Sequence, residues 1–289
     1  MSRRRHDTAL GYALLAPSLF GVLVFLLLPM LVVAWLSLRR WDLLGPIEYV
    51  GLDNWASVLT DPTFGNSLLV TVVFVALVVP VQIALGLLVA AMLARELPGS
   101  GFFRTVYVLP WICAPLAIAV LWRWILAPTD GAVSTLLGTR IEWLTDPGLA
   151  LPVVSAVTVW ANVGYVALFF LAGILAIPAD VHNAARIDGA TSWQRFRHIT
   201  LPMLRPTMFF VAVTGVISAA QVFDTVYALT GGGPAHRTDL VAHRIYAEAF
   251  GSAAIGRAAV MALVLFVVLV AITVVQQVYF RNRISYDLT

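Results

Sequence analysis

The residues able to do chemistry gather in one hydrophilic stretch. Residues 180–206 read DVHNAARIDGATSWQRFRHITLPMLRP and carry Asp180, Asp188, His182, His198 and the arginines Arg186, Arg195, Arg197 and Arg205. Such a set can make charge-assisted hydrogen bonds to a partner surface. It is not set up for catalysis, because neither histidine has a nucleophile beside it. All 18 basic residues of the chain are Arg. With no Lys there is neither a P-loop lysine nor a Schiff-base lysine, so the chain is not its own Walker-type ATPase. Five scattered His and the single Cys113 give no metal-site spacing and no internal disulfide. No metal or cofactor is expected in this chain. The net charge of +3 calls for no nucleic-acid partner.

The stretch has its own internal organisation, more than a simple reversal of direction needs. Asp180 is placed to cap a short helix through Ala184, Ala185 and Ile187. Gly189 supplies a break or a close approach. Thr191 with Gln194 fits a capping box for a second short helix. Trp193, Phe196 and Ile199 then make an apolar stripe, and Pro202 and Pro206 close that helix.

The elements that must position this loop are long apolar runs. The 289 residues are 61% hydrophobic and 11% charged, against about 25% charged in soluble domains. Lipid is the main solvent, and the fold class is all-α, integral membrane. Six transmembrane helices are expected at Gly11–Leu38, Ser67–Ala94, Thr105–Ala127, Leu151–Ile177, Thr207–Leu229 and Ile255–Phe280. The first is longer than a signal-peptide core and lacks a small-x-small cleavage site. Pro80, Pro110 and Pro115 are candidate kinks. Residues 39–66 hold Trp41, Tyr49 and Trp55, which suit a headgroup interface, as does Trp122-Arg123-Trp124 at the end of the third run. The chain divides into residues 1–66, a core of 67–281 containing the 180–206 loop, and a tail of 282–289.

An even number of spans puts both termini on one side. The N-terminal segment, the 95–104 turn, the 180–206 loop and residues 281–289 hold 11 Arg, and the other connections hold 7. The positive-inside rule then places both termini and the loop in the cytoplasm of a multi-pass cell-membrane protein.

Polar residues within the spans are few. Gln82 follows Pro80 in the second; Asn162 and Tyr165 lie mid-span in the fourth; Ser218 and Gln221 run along the fifth. Phe223, Asp224 and Tyr227 continue from them. Groups like these face the bundle interior, where they bond a neighbouring helix or line a path. An uncharged lining with aromatic faces suits a neutral sugar. Taking the fifth span as one helix, Asp224 lies about 17 residues along it, roughly 25 Å from its cytoplasmic end. There it braces the following Gly-rich turn or contacts solute.

The 180–206 stretch resembles the coupling loop of ABC-importer permeases, whose pattern is E-A-A, two residues, D-G-A, then I-x-L-P. The matches are Ala184, Ala185, Asp188, Gly189, Ala190, Ile199, Leu201 and Pro202, with Arg186 between the two halves. The pattern's Glu is replaced by Asn183, which removes one charge-assisted contact to a basic partner residue. A second stretch, VFDTVYALTGGGP at Val222–Pro234, resembles the end of the fifth span in carbohydrate-type permeases, the group for maltose, glycerol-3-phosphate and oligosaccharides. Within that group it is similar to the first of two paired permeases. The resemblance covers roughly residues 67–281 and looks closest to actinobacterial sugar permeases, with amino sugars in range. It implies a type I ABC importer permease fold and a second homologous permease subunit. It further implies two ABC ATPase subunits that bind ATP and Mg, and an extracytoplasmic sugar-binding (lipo)protein. Residues 183–186, 188–190, Ile199 and Pro202 would couple the ATPases.

Two other classes compete. An ion- or proton-coupled secondary transporter needs buried acidic or cationic groups deep in a span, and none is evident. A membrane enzyme needs a convergent His, Ser, Asp or Cys set at one depth, which the spacing does not provide.

Overall fold

The computed structural model describes residues 14–95 and 99–281. The Arg3–Arg5 segment, the start of the first span, Pro98 and the 282–289 tail lie outside the described residues. Contacts divide the chain into two packed units. One takes in residues up to Asp61 together with Ile245–Phe266; the other is Pro62–Arg244 with residues from Val267 on.

In the first unit, α1 (Leu14–Leu36) is apolar on every face, and none of its most apolar stretch is buried against the chain. A helix of that kind belongs in lipid or against another subunit. The expected loop after it is partly ordered. A two-stranded antiparallel hairpin pairs β1 (Arg39–Arg40) with β2 (Glu48–Tyr49), and α2 (Asp53–Leu59) follows. The buried Asn54 amide donates to the carbonyls of Ser37 at 3.0 Å and Arg39 at 2.8 Å, which fixes α2 against the end of α1. Arg39 lies over the rings of Trp35, 4.7 Å away, and Tyr49, 5.1 Å away. Arg257 bridges Glu248 at 2.5 Å and Asp61 at 2.8 Å.

The second unit holds the rest of the bundle. The long α3 (Pro62–Leu93) keeps Pro80 inside an unbroken helix and packs along α7 (Ala150–Leu175). Small residues permit the approach. Gly86 faces Val166, and a side chain at Gly164 would overlap the Tyr107 carbonyl. The core between these helices is built on Phe74, Val78, Val154 and Val157 at one level and Ala90, Phe170 and Leu204 at another.

Two expected spans are broken. The third is two helices, α4 (Ser100–Ile112) and α5 (Pro115–Ile125), bent by 95°. Cys113 is extended, and Ala114 is held out of the helical region ahead of Pro115. The 11 residues of α5 reach roughly 17 Å, too short to cross a bilayer alone. After α6 (Ala132–Leu137) and α7 come α8 (Ala179–Ile187) and α9 (Ser192–Met203). Then α10 (Arg205–Ala220) turns from α9 by 64° at Leu204. The fifth span ends at Ala220, not Leu229. A break at residues 221–223 separates it from α11 (Asp224–Leu229), so the 25 Å placement of Asp224 along one helix does not hold. The sixth element, α13 (Ile255–Arg281), follows a short α12 (Val241–Tyr246) and matches the expected span.

Candidate functional site

Two sites stand apart in the second unit: the polar loop and a cavity among the helices. In the loop, α8 starts after Pro178, and the cap carries no side-chain bond. Asp180 lies instead in the first turn, where its charge suits the positive end of the helix dipole. Asn183, Ala184 and Arg186 are exposed on α8, and Ala185 is half-buried. Asp188 ends the helix, and Gly189 follows with φ +76°, a left-handed conformation that disfavours a side chain. The Ala190 N–H then donates to the Ala185 carbonyl at 2.9 Å, closing the turn.

Thr191 and Gln194 form the reciprocal capping box. The Gln194 side chain accepts from Thr191 N at 2.7 Å, and the Thr191 hydroxyl accepts from Gln194 N at 3.3 Å. Arg195 donates to the Ala190 carbonyl at 2.7 Å, which ties the two short helices together. Pro202 does not end α9. A π turn over Phe196–Thr200 precedes it, in which Leu201 N–H bonds back to the Phe196 carbonyl, and the helix runs on to Met203. Asp188, Gly189, Ala190, Arg195 and Ile199 border one open cleft of about 440 Å³. Ile187 is 87% exposed and Trp193 65% exposed, so this hydrophilic loop presents two bare apolar side chains. Stable partner surfaces are built around such anchors.

The second site is a cavity of about 380 Å³. Of the eight residues expected along a path, seven line it: Gln82, Asn162, Tyr165, Ser218, Gln221, Phe223 and Asp224. They come from α3, α7, α10, the break before α11 and the first residue of α11. Tyr227 does not join them. It borders a separate cleft with Arg123 and Thr230, and α11 is the partition between the two spaces. The cavity also holds Thr214 of the fifth span, together with Trp111 and Thr158, which sequence reasoning passed over. Trp111 stacks on Tyr165 with ring centres 4.6 Å apart and planes within 19°. The Asn162 amide spends one donor on the Thr158 carbonyl at 2.8 Å.

Behind the cavity lies a buried ionic cluster that the linear sequence did not reveal. Asp239 is 1% exposed. It accepts from His243 at 2.8 Å, from Ser67 at 3.3 Å and from Arg244. Its spacing to His243 is one helical turn, a signal readable only once burial is known. The His243 ring lies against Phe223, whose own ring borders the cavity. Burial works to raise the Asp239 pKa, but the His243 hydrogen bond and the Arg244 charge outweigh it. The value falls below the ordinary 3.8. A carboxylate depressed in the fold contributes stability that is complete above its unfolded value and is lost as pH falls through the folded one. Thermal unfolding of the detergent-solubilised protein is therefore expected to shift downward below about pH 4. In Asp239→Asn that acid-side shift shrinks, on a lower baseline at neutral pH. An unchanged acid limb would remove the cluster from the fold's stability.

Residues 64–286 match the family of binding-protein-dependent transport system inner membrane components. The chain belongs to that family. This permease is 36% identical to the sn-glycerol-3-phosphate transport system permease protein UgpA of Agrobacterium fabrum, over 96% of each chain. It is 35% identical to the trehalose/maltose transport system permease protein MalF of Thermococcus litoralis, over 93% of this chain and 92% of that one. A crystal structure of a bacterial alginate ABC transporter, in complex with an alginate pentasaccharide-bound periplasmic protein, superimposes with TM-score 0.85 at 23% identity. That superposition covers 98% of this chain and 97% of the other. The permease therefore has the type I ABC importer fold and is a multi-pass inner-membrane transport subunit, not an ion-coupled secondary transporter.

Proposed function

We propose that this permease supplies half of a saccharide path, the other half coming from a second homologous permease. Two ABC ATPase subunits grip the 180–206 loop and its counterpart, and they alone bind ATP and Mg. An extracytoplasmic sugar-binding (lipo)protein delivers solute. Both termini and the loop face the cytoplasm, as the excess of Arg on those segments favours. Residues 67–281 carry the transport function. The residues from Asn183 to Arg186 and from Asp188 to Ala190, with Ile199 and Pro202, couple ATPase closure to the bundle. Energy enters as a shift of population between inward- and outward-facing states, with no bond broken in this chain.

The observation that carries the saccharide reading is the cavity lining. Amides and hydroxyls of Gln82, Thr158, Asn162, Ser218 and Gln221 surround a stacked Trp111–Tyr165 pair. Hydrogen-bonding groups with an aromatic platform match a molecule of hydroxyls on an apolar ring. The names of the relatives, sn-glycerol-3-phosphate and trehalose/maltose permeases, point to polyols and sugars.

Co-purification from membranes, followed by an ATPase assay with candidate saccharides and the binding protein, tests the assembly. ATPase subunits are expected to come along and to be stimulated. A chain that purifies alone and moves solute without ATP would reject it. Asn162→Leu is expected to lower saccharide uptake roughly tenfold, the loss of one or two hydrogen bonds. The ATPase subunits should still co-purify. Unimpaired uptake by that variant would take Asn162 out of the path.

A further inference from the structure

We propose that Phe169 and Phe210 form a second, aromatic station for the solute, one step from the cavity toward the 180–206 loop. This rests on the cavity being the saccharide path. A run of rings in contact leads away from the cavity wall. Trp111 stacks on Tyr165, and both line the cavity. Tyr165 meets Phe169 edge-on, with ring centres 4.9 Å apart and planes at 75°. Phe169 then meets Phe210 of α10 at 5.0 Å. Phe169 lies one helical turn beyond Tyr165 on α7, and Phe210 lies one turn before Thr214 on α10. Tyr165 and Thr214 are cavity residues, so both phenylalanines share the cavity's side of their helices. Each is displaced along its helix by about 6 Å. The displacement is toward the loop in both cases, since α7 leads into that stretch and α10 leaves it.

The two places offer a solute different chemistry. The cavity presents amides and hydroxyls, which hold a saccharide by directional bonds. At the station the Thr214 hydroxyl is spent on the Phe210 carbonyl at 2.8 Å, and ring faces remain. Phe169 packs on the core that contains Ala90, Val166 and Phe170, while Phe210 keeps 44% of its surface exposed. The pair is thus held in place and still presents an apolar surface. A pyranose can lay its C–H face on such a ring while its hydroxyls point away. A site that passes solute onward must bind well enough to receive it and weakly enough to release it. Stacking without fixed donors and acceptors meets both conditions.

The test uses the full importer in proteoliposomes with its binding protein, and radiolabelled maltose, trehalose and methyl glucoside as probes. Phe210 is the ring to change, because its exposure lets the fold do without it. Phe210→Leu is expected to cut uptake of the transported probe at least about fivefold, while equilibrium binding to the solubilised complex stays within about twofold. Gel filtration should show the complex assembled as before. Phe210→Tyr keeps a ring and should retain uptake. Asn162→Leu is the contrast, since a cavity residue should lower binding and uptake together. Full uptake by Phe210→Leu, or a loss shared by binding or by assembly, would overturn the station while leaving the saccharide path intact. Failure of the unaltered importer to bind or carry any of the probes would remove the path, and the station with it.

Discussion

Gly189→Trp is expected to abolish solute uptake by the assembled importer while leaving the permease inserted in the membrane. The argument has two parts. Gly189 has φ +76°, where a residue with a Cβ is disfavoured by about 1 kcal/mol. Apart from its own chain neighbours, nothing lies within 4 Å of where that Cβ would stand, so the subunit itself has room for a large side chain. The damage falls on whatever must seat against the cleft of Asp188, Gly189 and Ala190. An indole wedged into a docked surface costs on the order of 3 kcal/mol, or about a hundredfold in coupling. Asn tolerates the left-handed region, so Gly189→Asn should be milder than Gly189→Trp. Uptake of radiolabelled solute, with membrane insertion checked by blotting, reads both. Full uptake by Gly189→Trp would show that the loop is not the handle through which ATPase closure is transmitted.

Gly164→Leu is expected to prevent accumulation of folded permease. Gly164 is buried on α7 where α4 crosses it. A Cβ there would overlap the Tyr107 carbonyl and stand 2.9 Å from the Val108 nitrogen. These neighbours are backbone, so no rotamer change relieves the clash. One of two packed helices must move, at about 3 kcal/mol or more. Gly215→Ala is the matching control. Its Cβ would meet Val79 at 3.6 Å, an ordinary contact, and that variant should fold. Fluorescence-detected gel filtration after expression separates the two outcomes. A monodisperse, thermally normal Gly164→Leu would mean that α4 and α7 do not approach as closely as described. The same substitution would also disturb the cavity, since Tyr165 and Asn162 flank Gly164 on α7.

The difference between these two glycines shows what could be read in advance. Gly189 sits in a local pattern, between a helix end and a capping box, and its need for a left-handed turn follows from its immediate neighbours. Gly164 lies in an apolar run where any small residue looks alike. Its importance depends on Tyr107, far away in sequence. The bend between α4 and α5 lies in between. Pro115 marked a kink, but the 95° angle depends on what the two halves pack against. The break at residues 221–223 had no mark at all, having neither Pro nor Gly. It forms where Gln221 and Val222 bond back to Ser218 and Ala219 in a tightened final turn.

Composition and short-range spacing alone determined that the chain lives in lipid, where the hydrophobic runs lie, and that a polar, arginine-bearing loop with a Thr191–Gln194 cap interrupts them. These features depend on residues within a turn or two of each other, or on a solvent preference summed over a whole helix. Tertiary structure alone decided that Gln82, Asn162, Tyr165, Ser218 and Asp224 meet around one space, that Tyr227 is walled off from it, and that Asp239 is buried with His243 and Arg244. Burial and convergence are set by which helix faces pack together, and in a span apolar on nearly every side hydrophobic periodicity does not say which face turns inward.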